Sequence, residues 1–590
     1  MVDFPSQNRP ENGRFGVILK YLKNYKGYLI VGGVAIFMAN VLIMVIPYLT
    51  KLVFSLLEKK APIADVLKYA LAMVGLAVLS GIFRFATRRT IVWMSRHLEY
   101  NLRSELVAHL LKLSPSFYDV TRTGDIMARA TNDLEAVRKM TGPGIMYITN
   151  TVVSLVIAVS FMLYMSPKLT LYSLVPMLFF PYLVNKLGNL VHKKFIKIQE
   201  QFSRITASAQ ENLAGIRVVK AYVQEDNEYD NFGEESRQYI QFNLGMARLQ
   251  GTLFPLIYFL ASALNLIILY FGAREVWNGQ IDLGTMVAFF AYLQGLFWPM
   301  FAMGWVVSLY QRGTASLDRI NRILFTEPVI VNPTERPYTG ELKGKIEFKN
   351  LRFSYNGTAV LDGIDLVVEP AQTVGVVGMT GSGKSTLAAL LARLYPVDDN
   401  CLFVDDIDIN KWDLAALRRH IGFVPQEPFL FSETVAKNIL FGIDGDDETV
   451  LHAAARTAAL EKDIREFPGG YGTIVGERGI TLSGGQKQRA AIARALAVKP
   501  AILVLDDVTS SVDTETENEI YDRLDEDYRD CTRIIISHRV SSVKEADKII
   551  YLENGRIAEQ GNHEELIALD GNYAELYRSQ LLEMEIQSLS

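Results

Sequence analysis

Residues 376–386, VVGMTGSGKST, combine glycines, a lysine and hydroxyl side chains at a spacing that can bind phosphate groups. The pattern Gly-x-x-x-x-Gly-Lys-Ser begins at Gly378 and ends at Ser385. Its glycines let backbone N–H groups turn toward phosphate oxygens, at a helix N-terminus whose partial positive charge favours anions. Lys384 would reach the β- and γ-phosphates of a nucleotide, and the Ser385 hydroxyl would complete a Mg²⁺ shell. The stretch therefore predicts a site for a nucleoside triphosphate with Mg²⁺.

The elements on either side of this loop have the order that such a site needs. Residues 373–377 are apolar and predict a buried strand, and residues 387–394 predict a helix. Further apolar runs alternate with helical segments and predict a mostly parallel α/β core. They are residues 422–424, 501–505, 533–536 and 548–552, preceded by an exposed strand at 345–353.

Other polar residues follow these strands and could complete the site. The run 502–505 ends in Asp506, which is how a carboxylate is brought to Mg²⁺ beside a phosphate loop. Residues 482–489, LSGGQKQR, form a small-residue loop before a helical run at 490–496, which predicts a second anion site. Gln426 and His538 also follow strands, but neither is informative alone.

The composition indicates a membrane protein of more than one domain. A chain of 590 residues is too long for one hydrophobic core, and its hydrophobic fraction of 49% is high for a soluble protein. The net charge of −5 gives no sign of nucleic-acid binding. Its two cysteines, Cys401 and Cys531, lie in the part expected to meet ATP, so we expect free thiols in a reducing cytosol.

Six stretches in the first half are long and apolar enough to cross a membrane as helices. They are residues 28–50, 67–91, 141–165, 169–190, 250–273 and 283–310. The segments after the second and fourth are long and rich in Lys and Arg, which places them and both termini in the cytosol. Residues 1–27 fit a cytosolic lead-in with an elbow helix rather than a signal peptide. No acidic residue lies deep in a span, which argues against ion-driven transport.

Helical periodicity fails between residues 326 and 344, where three prolines and two glycines lie. We therefore expect a transmembrane domain at 1–325, a linker at 326–344 and a nucleotide-binding domain at 345–590.

In this order and spacing, the motifs of the second half resemble the nucleotide-binding domain of ATP-binding cassette (ABC) transporters. The first half resembles the six-helix exporter type, so the resemblance covers essentially the whole chain. It implies an α-helical six-span transmembrane domain followed by an α/β phosphate-loop domain with a helical subdomain. It also implies ATP and Mg²⁺ as ligands. The LSGGQ sequence is its most specific part.

The resemblance assigns a role to each motif. Tyr355 would stack on adenine, and Gln426 would link Mg²⁺ and the attacking water to the membrane domain. His538 would contact the γ-phosphate, and Asp513 would lie in the loop between two ATP sites. The phosphates would be held by Gly378, Thr380, Gly381, Ser382, Gly383, Lys384, Ser385 and Thr386, Mg²⁺ by Ser385, Gln426 and Asp506, and a second subunit's ATP by Ser483, Gly484, Gly485 and Gln486. Helices that couple the two domains would lie at Gly124–Asp125 and Ala221–Tyr222.

One position departs from the family pattern. The catalytic base after Asp506 is Glu in the family, and this chain has Asp507. Together with His538 and Gln426, Asp507 is the candidate catalytic group, but its carboxylate is one methylene shorter. The favoured interpretation is a heterodimer in which this chain carries the slow site and a partner supplies Glu. The alternative is an active homodimer in which the backbone shifts or a second water bridges the gap.

The expected function is ATP-driven export of amphipathic compounds across a bacterial-type cytoplasmic membrane, with the nucleotide-binding domain in the cytosol. The chain would be one half of a dimer in contact with membrane lipids, without a nucleic-acid partner. Lipid or lipopeptide flipping is an alternative, and a nucleotide-gated channel is a further one. The predicted spans exclude a soluble cassette ATPase of repair or translation.

Overall fold

The computed structural model describes residues 15–333, 337–355, 357–476, 479, 482–509 and 511–589. Most of the predicted lead-in and residues 334–336 of the predicted linker lie outside these ranges. The chain divides into two compact units, one of Met1–Leu111 with Arg122–Thr326 and one of Lys112–Thr121 with Glu327–Ser590. The segment 112–121 thus groups with the second unit, although the sequence places it among the membrane helices.

The first unit is helical. Short π-helical segments join α3 to α4, α6 to α7 and α7 to α8. The last of these segments contains Pro143, which has no N–H to donate. The helices up to the linker are α1 (Gly16–Asn24), α2 (Lys26–Glu58), α3 (Ile63–Thr87), α4 (Trp93–Leu110), α5 (Pro115–Val120, in the second unit), α6 (Thr123–Ala128), α7 (Leu134–Lys139), α8 (Ile145–Met165), α9 (Pro167–Ala214), α10 (Ile216–Ala221), α11 (Glu225–Trp277) and α12 (Leu283–Leu324).

Four continuous helical stretches of the described chain are long and apolar enough to cross a membrane: Lys26–Glu58, Ile63–Leu110, Thr123–Met165 and Leu283–Leu324. Each contains one predicted span. The predicted spans 169–190 and 250–273 lie within α9 and α11, and the count of six stays a prediction. With 48 and 53 residues, α9 and α11 are roughly 70–80 Å long, more than twice a hydrocarbon core of about 30 Å.

Polar side chains inside this unit join helices to one another. Asn40 in α2 donates a hydrogen bond to the Asn150 side chain in α8 at 3.0 Å, and the Ser154 hydroxyl donates to Asn40 at 2.7 Å. Backbones also approach closely, because a Cβ at Gly284 would lie 2.3 Å from the Lys51 carbonyl oxygen. Small residues at such crossings and amides that bridge helices are typical of packed membrane helices.

The described part of the second unit contains two sheets. The larger has strand order β10-β9-β3-β8-β7-β6 and is parallel except for β10, and the smaller is antiparallel with order β2-β1-β4-β5. The strands are β1 (Ile346–Tyr355), β2 (Thr358–Val368), β3 (Thr373–Gly378), β4 (Leu402–Val404), β5 (Ile407–Asp408), β6 (Ile421–Val424), β7 (Ile502–Asp506), β8 (Thr532–Ile536), β9 (Lys548–Glu553) and β10 (Arg556–Gly561).

Two hydrophobic cores lie on opposite faces of the larger sheet. Val376, Val504 and Ile536 point into the core shared with the smaller sheet, whereas the adjacent residues Leu505 and Ile535 point into a helical core. The helices are α13 (Lys384–Leu391), α14 (Leu414–Arg419), α15 (Val435–Ile439), α16 (Glu448–Thr457), α17 (Glu461–Glu466), α18 (Gly484–Ala497), α19 (Thr514–Asp527), α20 (His563–Leu569) and α21 (Asn572–Leu589). The predicted order of a helical domain followed by an α/β domain is confirmed.

Candidate nucleotide site

The phosphate loop joins β3 to α13 at the carboxyl edge of the parallel sheet, where ligands of such folds bind. Gly378, Gly381 and Gly383 all have positive φ, of 146°, 82° and 103°. A Cβ at Gly378 would lie 2.1 Å from the Leu552 carbonyl oxygen, and one at Gly383 would lie 2.6 Å from the Leu361 side chain. Only glycine fits these two positions. The helix begins at Lys384, three residues before the predicted start, because Gly383 is its N-cap.

The side chains of the loop suit a phosphate ligand. The Lys384 ammonium is buried and donates to the carbonyl oxygens of Gly378 at 2.8 Å and Met379 at 2.9 Å. Burial lowers the pKa of Lys384, and the nearby carboxylates of Asp506 and Asp507 oppose that shift. The Ser382 hydroxyl is buried and has no hydrogen-bond partner among the described residues. A donor left over in a cradle lined by a lysine fits a bound phosphate.

Asp506 ends β7 next to this loop. Ser385 Oγ donates to Asp506 Oδ1 at 3.1 Å, so two of the three predicted Mg²⁺ ligands lie together. Burial raises the pKa of Asp506, the Asp507 charge raises it further, and the Ser385 hydrogen bond, Lys384 and His538 lower it. Hydroxyl and carboxylate oxygens are the donors that Mg²⁺ prefers, so the residues present fit this ion.

Asp507 lies directly beyond β7 and faces Gln426. Gln426 Nε2 donates to Asp507 Oδ2 at 3.3 Å, and the Asp507 N–H donates to the Ile536 carbonyl at 2.8 Å. The Asp507 backbone has φ +48°, a left-handed conformation that Asp and Asn tolerate better than most residues. The structure therefore brings Lys384, Ser385, Asp506, Asp507, Gln426 and His538 to one edge of the sheet.

Tyr355, the predicted adenine-stacking residue, ends β1 within an aromatic group. Its ring packs edge-on against Tyr395 at a centroid distance of 5.1 Å and against Phe353 at 4.8 Å. The Tyr395 hydroxyl donates to Asp119 in α5 at 2.8 Å. Sequence reasoning missed Tyr395, because it follows a helix and carries no spacing signal.

The LSGGQ residues form a helix start rather than a loop. Ser483 is the N-cap of α18, which begins at Gly484, six residues before the predicted helix. Ser483 Oγ accepts from the Gln486 N–H at 3.2 Å, and Gln486 Oε1 accepts from the Ser483 N–H at 3.0 Å. The Gln486 amide also donates to Asp463 at 3.0 Å, so its side chain is already used within this chain.

The segment around Asp513 packs against this helix. Asp513 is the N-cap of α19 and accepts from the Thr516 N–H at 2.9 Å, which holds the pKa of the carboxyl below its usual value. Gln488 in α18 accepts from the Ser511 N–H at 3.2 Å. A Cβ at Gly485 would lie 2.8 Å from the Ser511 carbonyl oxygen. Gly485 therefore has a packing role in its own chain, besides any contact with a second subunit's ATP.

Both halves of the chain match families of known proteins. Residues 29–300 match the family described as ABC transporter transmembrane region, and residues 361–510 match the family described as ABC transporter. The chain is 40% identical to the probable multidrug resistance ABC transporter ATP-binding/permease protein YheI of Bacillus subtilis, over 82% of this chain and 83% of that protein. It is 35% identical to the multidrug resistance-like ATP-binding protein MdlA of Escherichia coli, over 95% and 96%.

Two further similarities extend the comparison. The chain is 32% identical to the ATP-dependent lipid A-core flippase of Syntrophus aciditrophicus, over 89% of this chain and 87% of that protein. The solved structure of a bacterial Atm1-family ABC exporter with ATP bound matches with a TM-score of 0.76 at 27% identity, over 96% of this chain and 100% of that one. The chain therefore belongs to the ABC transporter family, as a multi-pass membrane exporter with an ATP-hydrolysing nucleotide-binding domain in the cytosol.

Proposed function

We propose that this chain is one half of a heterodimeric ABC exporter and carries the slower of two ATP sites. The observation that supports the proposal is Asp507, which follows Asp506 where the family pattern has Glu. A general base must lie within about 2.6–3.2 Å of the water that it activates. Asp is one methylene shorter, so its carboxylate lies roughly 1 Å too far back, a displacement that can cost about 10²-fold in rate.

The geometry at Asp507 adds to this argument. Its carboxylate already accepts a hydrogen bond from Gln426, and its left-handed backbone suits Asp better than Glu. A backbone shift that would restore the reach of a Glu would strain the hydrogen bond from the Asp507 N–H to Ile536. The homodimer alternative depends on such a shift or on a second bridging water.

The remaining residues would bind ATP and Mg²⁺ without performing the hydrolytic step quickly. Lys384 and Ser382 would hold phosphate oxygens, and Tyr355 would stack on adenine. Mg²⁺, which offsets phosphate charge when bound, would be held by Ser385, Asp506 and Gln426. Ser483, Gly484, Gly485, Gln486 and Asp513 would serve the ATP bound to the partner, with Ser483 and Gln486 also shaping the start of α18.

ATP binding would then drive the transport cycle as a population shift. ATP held between two nucleotide-binding domains favours their closed state, and the segments at Gly124–Asp125 and Ala221–Tyr222 would pass this bias to the membrane helices. Hydrolysis at the partner's site would reset the transporter.

Amphipathic small molecules are the proposed substrates. Two relatives carry multidrug resistance in their names, and the membrane half is rich in aromatic residues without a charged cluster deep in its predicted spans. Lipid is the second candidate, because a relative of 32% identity is a lipid A-core flippase.

Inverted membrane vesicles that contain the assembled transporter test this function. We expect a fluorescent amphipathic dye to accumulate with ATP and not with a non-hydrolysable analogue. Flipping of a labelled lipid without dye accumulation would favour the lipid alternative. An ion conductance that persists with the non-hydrolysable analogue would overturn the export proposal in favour of a channel.

A further inference from the structure

The C-terminal helix α21 holds the backbone of the loop that carries His538. Gln580 Nε2 donates to the His538 carbonyl oxygen at 2.6 Å, and Gln580 Oε1 accepts from the Val540 N–H at 2.9 Å. Both ends of one side-chain amide are therefore used, on the two residues that flank Arg539. The arrangement imitates the pairing of a neighbouring β-strand, with a single side chain in place of a backbone.

The same loop is fixed on its other side by the chain core. The Arg539 N–H donates to Ser537 Oγ at 2.9 Å, and the Ser537 N–H donates to the Val376 carbonyl next to the phosphate loop. The Ser542 hydroxyl donates to the buried Glu517 carboxylate at 2.5 Å. The hydrogen bond from Gln580 connects the His538 carbonyl in this loop to α21.

Contacts with β10 and α20 anchor the first turn of α21. Glu559 in β10 accepts from the backbone N–H groups of Asn572 at 2.5 Å and Tyr573 at 3.1 Å. The Tyr573 side chain is fully buried, and its hydroxyl lies 2.7 Å from His563 Nδ1. The position of Gln580 is thus tied to the edge of the larger sheet, two helical turns from this anchor.

We propose that Gln580 is a positioning residue for His538, so that the C-terminal helix sets how well this chain distinguishes ATP from ADP. The proposal rests on the proposed role of His538 as the contact to the γ-phosphate. Removal of the amide would free the carbonyl side of the peptide after His538 while its N–H stays bonded to Ser537, and the imidazole, whose charge acts on Asp506, would be held less firmly. Nucleotide contacts that ADP shares with ATP, at Lys384 and Tyr355, would not change.

The test is the ratio of ATP to ADP affinity at the Lys384 site of the full-length, assembled transporter. This site is isolated as the difference between the parent and its Lys384→Ala variant. Gln580→Met keeps the length of the side chain and removes both hydrogen bonds, and we expect it to lower the ratio about 3- to 10-fold, with ADP affinity unchanged. Gln580→Glu keeps an acceptor for Val540 but opposes the His538 carbonyl, and should lower the ratio as well.

Two further variants make the outcome decisive. Arg578 lies in α21, like Gln580, and forms an exposed ion pair with Asp570. Arg578→Met removes this ion pair and should leave the ratio at the parent value. His538→Ala should lower the ratio about 10-fold or more, and the double variant with Gln580→Met should lower it no further. A normal ratio in His538→Ala would contradict the proposed role of His538. A lowered ratio in His538→Ala with a normal ratio in Gln580→Met would overturn the positioning role of Gln580, as would equal losses of ATP and ADP affinity.

Discussion

Gln426 and Asp507 are joined by a hydrogen bond of 3.3 Å from the Gln426 amide to the Asp507 carboxylate. Gln426 is the residue expected to link Mg²⁺ and the attacking water to the membrane domain. Asp507 stands at the position of the catalytic base. The hydrogen bond occupies one oxygen of a carboxylate that is one methylene shorter than Glu. The slow-site proposal rests on this shorter carboxylate and is strengthened by its contact with Gln426.

Lys384→Ala should weaken binding of ATP with Mg²⁺ at this chain's own site. The buried ammonium is the positive charge in the phosphate loop, and hydrogen bonds to charged groups contribute about 1.5–3 kcal/mol, so we expect a loss of about 10- to 100-fold. Binding of a labelled ATP to the assembled transporter measures it. Lys437→Ala, which removes an exposed lysine paired with Glu433, is the control. Parent-like binding in Lys384→Ala would show that the loop is not the nucleotide site.

Asp506→Asn should stabilise the nucleotide-free protein while it weakens Mg²⁺-dependent ATP binding. The pKa of Asp506 is raised by burial, so in the folded state its charged form costs stability at neutral pH, and this cost disappears as the pH falls through the raised pKa. The variant removes the charge and also a Mg²⁺ ligand. Thermal unfolding with and without ATP-Mg²⁺ measures both effects. An unchanged shift of the melting temperature by ATP-Mg²⁺ would speak against Asp506 as a ligand.

The raised pKa of Asp506 also predicts a pH dependence of nucleotide binding. A protonated carboxyl is a poor Mg²⁺ ligand, so affinity for ATP-Mg²⁺ in the parent should fall as the pH is lowered, and it should fall at a higher pH than an ordinary Asp would give. Binding of ATP without Mg²⁺ should lack this step. The two titrations, run side by side between neutral and mildly acidic pH, measure the difference, and identical profiles would contradict it.

Ser483→Asp should slow ATP turnover by the assembled transporter and leave ATP binding at Lys384 intact. Asp caps a helix about as well as Ser, so α18 should still begin at Gly484, but the carboxylate would repel the phosphates of the partner's ATP. Ser483→Asn is the matched variant, because it caps the helix without a charge and should therefore lose less turnover than Ser483→Asp. Equal losses in the two variants would point to the helix start rather than to charge. Gly485 is a less suitable site, because any side chain there meets Ser511.

The strands that carry the site residues could be predicted from the sequence, but the contacts of the site's side chains could not. The apolar runs before Gly378 and Asp506 predict strands that the structure confirms, since buried parallel strands leave a continuous apolar signal. The sequence predicts the start of α18 six residues too late, because glycines favour a loop and the reciprocal Ser483–Gln486 cap that overrides them is a side-chain geometry.

Long-range contacts account for the rest of what the sequence missed. The hydrogen bond between Tyr395 and Asp119 joins residues 276 positions apart, and no local pattern predicts it. It helps to explain why segment 112–121 groups with the second unit. The left-handed backbone of Asp507 is likewise set by the hydrogen bond of its N–H to Ile536 on the next strand.

The ATPase rate of the assembled transporter carrying Asp507→Asn tests the unequal-site account most directly. Asn keeps the acceptor for Gln426 and tolerates the left-handed backbone, so the variant removes the charge and preserves both of these features. We predict that total ATPase stays close to the parent rate, whereas the loss of the partner's Glu nearly abolishes it. The account would be contradicted if this chain, purified alone, formed a dimer with vigorous ATPase that Asp507→Asn eliminates.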